Sequence, residues 1–212
     1  KGFLDDLETS AVVLQFGEKR IAVISVDVCS LTVEQADEIK KTVAERSGIN
    51  ADCIFISTIH THTGPVLTPN TLFETTEAEI DTYFAFLKSR IADAVKMAAE
   101  DLKDAKVGYG IGRVADRVAY IRRYKMKDGT TMTCPPVDDP NIDHPIGKID
   151  ERVNVVRIDR DGADSIVLVN YGVHADTVNG ELISPDWPGW MRRTVAKALD
   201  GTKCVFITGA QG

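Results

Sequence analysis

Two of the four histidines lie one residue apart in the stretch ISTIHTHTGP, residues 56–65. The apolar run before them is typical of a short buried strand, so His60 and His62 follow where that strand ends. Side chains two positions apart in an extended segment point to the same side. Neutral imidazole is a common ligand of zinc, so this pair indicates a metal site. Two exposed loop histidines are the alternative.

A third histidine, His174, follows another apolar strand-like run, IVLVNYGV. In α/β sheets, sites form outside the carboxyl ends of strands, and here two separate strands deliver imidazoles at corresponding ends. We therefore expect His174 to meet His60 and His62, against the alternative of a buried histidine bonded to a backbone carbonyl. Asp27 ends a third strand-like run and could bind metal or orient an imidazole, although a cap or loop hydrogen bond is the simpler interpretation.

Two adjacent arginines, Arg122 and Arg123, lie in a predicted hairpin. A guanidinium offers a fork of N–H donors that suits a carbonyl or carboxylate oxygen. Because neighbouring residues of a strand point to opposite faces, at most one of the two enters a site. Two solvated hairpin charges are the alternative.

The glycine turn FITGAQG, residues 206–212, follows a strand-like run, and its backbone is expected to approach another segment closely. It lacks the Lys and Ser/Thr that follow in a phosphate-binding loop, so a nucleotide is not expected.

The elements that position these residues alternate between strands and helices, with hairpins between some of them. One helix is predicted between Thr32 and Gly48 and a longer one after Thr76, each with capping-box spacing at its start. The Pro- and Asp-rich stretch 134–147 is predicted as a long loop. The pattern predicts an α/β fold, a mixed β-sheet sandwich with flanking helices, in one domain spanning residues 1–212.

Composition narrows the possible partners. The chain of 212 residues has 43% hydrophobic and 27% charged residues and a net charge of −7, so nucleic acid is not an expected partner. No apolar run reaches the roughly 18–20 residues of a transmembrane segment. The four cysteines are irregularly spaced, which argues against a disulfide framework and favours a reducing compartment such as the cytoplasm.

Several of these blocks together resemble the neutral/alkaline non-lysosomal ceramidase family, in its N-terminal catalytic domain. ISTIHTHTGP is similar to the His-Thr-His block of the family, and VAYIRRYKMKDGT to its arginine-containing hairpin in the shorter bacterial members. VNYGVHADTV resembles its second histidine strand, ISPDWPGWMRR the helix start that follows, and FITGAQG the glycine turn.

The resemblance implies a zinc-dependent hydrolase of the N-acyl bond of ceramides. It assigns His60 and His174 as zinc ligands and His62 as a group beside the metal that contacts substrate. The hairpin arginine corresponds best to Arg122, although this chain has Ile121 where the family often has Asn, so the choice between the two arginines stays open.

Zinc on His60 and His174 would lower the pKa of a bound water to about 7, and His62 with Arg122 would stabilise the developing oxyanion. The resemblance places further ligands, a Glu and a Tyr, beyond this chain. We therefore expect a partial domain, truncated at both ends, that binds metal weakly or not at all and is inactive alone.

The acidic chain shows no cationic or amphipathic docking surface, which leaves ceramide itself in question as the substrate. Two alternatives follow: a metallo-hydrolase of a soluble amide or ester, and a non-catalytic ligand-binding relative that keeps the fold. The oligomeric state is not predicted.

Overall fold

The computed structural model describes residues 2–69, 75–114 and 118–211. In these ranges the α-helices are α1 (Val33–Ser47), α2 (Glu77–Glu100) and α3 (Asp186–Ala198), and a short 3₁₀ helix spans Ala51–Cys53. The strands are β1 (Gly2–Phe3), β2 (Thr9–Phe16), β3 (Lys19–Val26), β4 (Ile54–Thr58), β5 (Ala105–Arg113), β6 (Arg123–Met126), β7 (Thr131–Thr133), β8 (Ile142–Pro145), β9 (Arg152–Arg160), β10 (Ser165–Tyr171), β11 (Leu182–Ile183) and β12 (Thr202–Thr208).

The first main sheet has the strand order β2-β3-β4, with β2 antiparallel and β4 parallel to β3. Neighbouring residues of β2 face opposite ways, as a pleated strand requires. Val13 packs in the core that the sheet forms with α1 and α2, whereas Val12 packs in the core between this sheet and the next.

The second main sheet has the order β12-β10-β9-β5. Strands β10 and β12 are parallel, and β9 is antiparallel to both β10 and β5. Val205 on β12 faces the inter-sheet core, while its neighbour Phe206 is fully buried on the other face beneath Trp187 of α3. The layers are therefore helices, sheet, sheet and helix, which confirms the predicted α/β mixed-sheet sandwich.

The helix boundaries follow from their end residues. Thr32 and Thr76 each cap a helix with the reciprocal hydrogen bonds of a capping box, through Gln35 and Glu79. Gly48 ends α1 in the left-handed conformation at φ 72°, which glycine adopts without a Cβ clash. These three predictions are confirmed.

Two small sheets lie outside the sandwich, β1-β11 and β7-β6-β8. The hairpin predicted at Asp128-Gly129 is present between β6 and β7. The stretch 134–147 was predicted as a long loop, but it contains strand β8, which pairs with β6. Asp and Pro are uncommon in strands, so the composition of this stretch favoured a loop. Among the described residues, no helix is long and apolar enough to cross a membrane.

Candidate metal centre

His60 lies just after β4 and is held by both its backbone and its ring. Its φ is 66°, in the left-handed region that residues other than glycine adopt rarely. The backbone N–H donates to the carbonyl of Val28 at 3.1 Å, and ring Nδ1 donates to the carbonyl of Cys29 at 2.8 Å. Because Nδ1 carries the proton, Nε2 of His60 keeps a free lone pair and is the atom that can bind a metal.

The two threonines of the HTHT block fix this segment against the chain that precedes α3. Thr61 is fully buried and donates to the carbonyl of Ser184 at 2.7 Å, and Thr63 donates to the same oxygen at 3.1 Å. Thr61 and Thr63 therefore face Ser184, whereas His60 and His62 turn toward His174.

His174 follows β10, and the start of α3 holds the chain around it. The indole N–H of Trp187 donates to the carbonyl of His174 at 3.0 Å. The fully buried carboxylate of Asp186 accepts from the backbone N–H groups of Thr177 and Val178 at 2.9 and 2.7 Å. The segment after His174 is therefore fixed by several hydrogen bonds rather than being a free loop.

The glycine turn after β12 supports the same strand end. A Cβ on Gly172 would lie 2.4 Å from the carbonyl oxygen of Ala210, and one on Gly209 would lie 2.9 Å from the nitrogen of Gly172. The close backbone approach expected for this turn is therefore present, and its neighbour is the strand that leads to His174.

The structure brings the three histidines together. Ring centroids lie 4.9 Å apart for His60 and His62, 4.6 Å for His60 and His174, and 5.0 Å for His62 and His174. Nε2 of His62 and Nε2 of His174 are 2.9 Å apart, so one ring donates a proton to the other. A metal ion bound at His174 would compete with that proton for a ring lone pair, because neutral imidazole offers its lone pair to a proton or to a metal.

Burial favours the neutral form of His174. Desolvation lowers its pKa, and the neighbouring charges of His60, Arg122 and His62 lower it further, while Asp176 opposes them. Nδ1 of His174 is buried and has no hydrogen-bond partner among the described residues. An imidazole that stays neutral and keeps an unpaired nitrogen is suited to bind a cation.

Two further donors that were not predicted from the sequence, Asp176 and Cys29, border the cluster. Ligand atoms of His62, His174 and Asp176 lie within 4.8 Å of one another, and so do those of Cys29, His60 and His62. The signal for Asp176 is its spacing, since His174 and Asp176 are two positions apart after a strand, as His60 and His62 are. These donor types, imidazole with carboxylate or thiol, fit zinc.

Of the two hairpin arginines, Arg122 is the one whose charge acts on His174. Arg122 is half-buried, whereas Arg123 is exposed on β6. Arg122 lies just before β6, so which of the two arginines enters a site stays a prediction. His144 is exposed beside Asp143, with 3.2 Å between Nδ1 and the carboxylate.

Asp27 belongs to neither of the two donor groups. It is 2% exposed and bonds both carboxylate oxygens to Arg192 of α3, at 2.7 and 2.6 Å, and it accepts the backbone N–H of Glu8 at 2.8 Å. It neither joins a donor group nor orients an imidazole among the described residues, so the loop hydrogen bond was the better interpretation. Its partner Arg192 lies 165 positions away in the chain and was not predicted from the sequence.

No protein-family model and no curated protein match the chain. Among solved structures, it is similar to the neutral ceramidase from Pseudomonas aeruginosa, with 17% sequence identity and a TM-score of 0.64 over 92% of this chain and 31% of that chain. A ceramidase complexed with C2 is similar at 14% identity and a TM-score of 0.62, with the same coverage. The chain thus has the fold of a neutral ceramidase over 31% of that enzyme's length.

Proposed function

We propose that this chain carries the metal centre of a zinc-dependent, ceramidase-like amidohydrolase that cleaves an N-acyl amide. One observation carries the proposal. His62 and His174 are 112 positions apart in the sequence, yet their Nε2 atoms are 2.9 Å apart, and both rings lie beside His60. The shared fold with ceramidases supports the same conclusion, because the histidines follow strands of that fold.

In this proposal His60 and His174 are the zinc ligands. When bound, zinc acts as a Lewis acid and supplies a water of lowered pKa at neutral pH. The chain prepares the two ligands by different means. The carbonyl of Cys29 fixes the tautomer of His60, so that Nε2 is available, and burial keeps His174 neutral.

His62 and Arg122 then act on the substrate carbonyl. Amide hydrolysis builds negative charge on the carbonyl oxygen, and donors already in place stabilise that charge most effectively. The His62 side chain is 41% exposed, so a substrate can reach it from solvent. Arg122 is close enough for its charge to act on His174, and its guanidinium supplies a second donor to the oxyanion.

The substrate class has one serious alternative. The chain carries a net charge of −7, which does not attract it to an anionic membrane surface, so a soluble amide or ester is the second candidate. The same histidines and arginine would serve either substrate, because both reactions pass through a tetrahedral oxyanion.

The test uses the full-length protein and two histidine variants, His174→Ala and His144→Ala. We expect His174→Ala to lose bound zinc and hydrolysis of short N-acyl amides together, and His144→Ala to keep both. Zinc content by mass spectrometry and hydrolysis of matched amide, ester and ceramide substrates are the measurements. A His174→Ala protein that keeps its zinc contradicts the proposal. Ligand binding without hydrolysis in the wild type indicates a non-catalytic relative instead.

A further inference from the structure

Asp176 extends the histidine cluster with a carboxylate. It lies two positions after His174, and its Oδ1 is 3.9 Å from Nδ1 of His62. Its side chain is 50% exposed, so it reaches the cluster from the solvent side. No lysine or arginine in the described ranges forms an ion pair with it, and its carboxylate faces the ring of His62.

The electrostatic effect of Asp176 is directed at the same cluster. Its charge raises the pKa of Cys29 and opposes the lowering of the pKa of His174. Ligand atoms of Asp176, His62 and His174 lie within 4.8 Å of one another, so the carboxylate lies beside any divalent cation bound at His174. Two imidazoles and one carboxylate are also a donor set that catalytic zinc sites use.

We propose that Asp176 supplies an oxygen donor to the cation at the histidine cluster, which gives the 212-residue chain a sufficient donor set of its own. The inference rests on the proposed function, because the cation is the same one. Two histidine ligands alone predict weak metal binding by this chain, whereas a third protein donor predicts that it retains the ion.

Cys29 is the competing donor, and its geometry is less favourable. Its Sγ lies 3.6 Å from Nδ1 of His60, the ring nitrogen already bonded to the Cys29 carbonyl. Burial raises the pKa of the thiol, with a further increase from the charge of Asp176, so the proton that a metal must displace is held more firmly.

The experiment titrates the cation-free 212-residue chain with Zn²⁺, by competition with a chromogenic chelator, and with Co²⁺, whose visible spectrum reports its donors. The test variant is Asp176→Asn. The matched control is Asp143→Asn, which removes a carboxylate next to the isolated His144. We expect one zinc per chain, affinity at least about 10-fold weaker in Asp176→Asn, an altered Co²⁺ spectrum, and no change in the control.

A third variant, His174→Ala, separates this inference from the proposed function. If His174→Ala loses zinc and Asp176→Asn binds it as tightly as the wild type, the cluster is a metal centre but the inference is overturned. If the wild-type chain binds no zinc, the inference is also overturned, and zinc content of the full-length protein still tests the proposed function. If His174→Ala keeps the affinity of the wild type, the histidine centre itself is contradicted. Circular dichroism of each variant confirms folding, which an exposed Asp→Asn change should preserve.

Discussion

The Asp27–Arg192 pair and the histidine cluster are both polar groups placed after strands, but they use their bonding capacity differently. Asp27 is almost completely buried, and both of its oxygens accept charge-assisted hydrogen bonds from Arg192. His62 is 41% exposed, and the strongest contact of its ring is another imidazole.

This difference separates a structural role from a functional one. A buried carboxylate whose bonds are all made within the chain has nothing left to offer a ligand, and here it ties α3 to the segment that follows β3. Imidazoles that meet one another while keeping free lone pairs are stabilised by an added cation instead. Substitutions in the first group should therefore lower stability, and those in the second should lower metal affinity.

The largest effect on stability is expected from Arg192→Met. It leaves the Asp27 carboxylate buried without its partner, so the free energy of unfolding should fall by about 3–5 kcal/mol. Urea denaturation of the cation-free chain measures it. The double variant Asp27→Leu/Arg192→Met should recover much of the loss, because no unpaired charge remains. A single variant as stable as the wild type would show that this pair is not structural.

Gly172→Ala should have the next largest effect. Its Cβ would lie 2.4 Å from the carbonyl oxygen of Ala210, so the strand end or the glycine turn must shift, at a cost of about 1–3 kcal/mol. The matched control is Gly110→Ala on exposed β5, where a Cβ meets nothing within 4 Å. Thermal unfolding compares the two, and equal losses would contradict the close approach.

A pH series tests the environment of His174 in the presence of a chelator. Its pKa is lower in the folded chain than in the unfolded chain, where it is near the ordinary 6.5, mainly because of burial. The unfolded chain therefore takes up this proton first as the pH falls. Stability from this group is complete above about pH 6.5 and declines as the pH falls through 6.5 toward the folded pKa. His174→Asn should remove that part of the decline, and His144→Gln should leave it unchanged. Identical pH profiles for the wild type and His174→Asn would show that folding does not lower the pKa of His174.

His60→Asn should change stability least. Asparagine tolerates the left-handed backbone conformation that His60 adopts at φ 66°, so we expect a change within about 0.5 kcal/mol. Zinc affinity should nevertheless fall at least about 10-fold, since the ligand is gone. If His60→Asn lost both stability and zinc affinity, His60 would have a structural role like that of the Asp27–Arg192 pair.

The sequence predicted the elements that local rules determine. The capping boxes at Thr32 and Thr76 and the left-handed Gly48 depend on residues a few positions apart, and each is present. The convergence of His60 and His174 was also predictable, because both follow apolar strand-like runs. Strand β8 was not, because its pairing with β6 overrides an unfavourable local composition.

Long-range partnerships could not be predicted from the sequence. Nothing in the surroundings of Asp27 or Arg192 indicates that they meet, since the pairing depends on where α3 packs. The same holds for Asp186, whose hydrogen bonds to Thr177 and Val178 depend on its left-handed φ of 56° at the start of α3. Asp176 could have been noticed from its spacing relative to His174.

The threonine bonds to Ser184 have a consequence for how the protein is made. Thr61 is 123 positions before Ser184, and the indole that bonds the His174 carbonyl comes three residues later. During synthesis, the first two imidazoles emerge from the ribosome long before the segment that fixes them against the third. If His60 and His174 bind zinc as proposed, uptake of the ion would report that these segments have come together, and a zinc-dependent signal during translation would show when this happens.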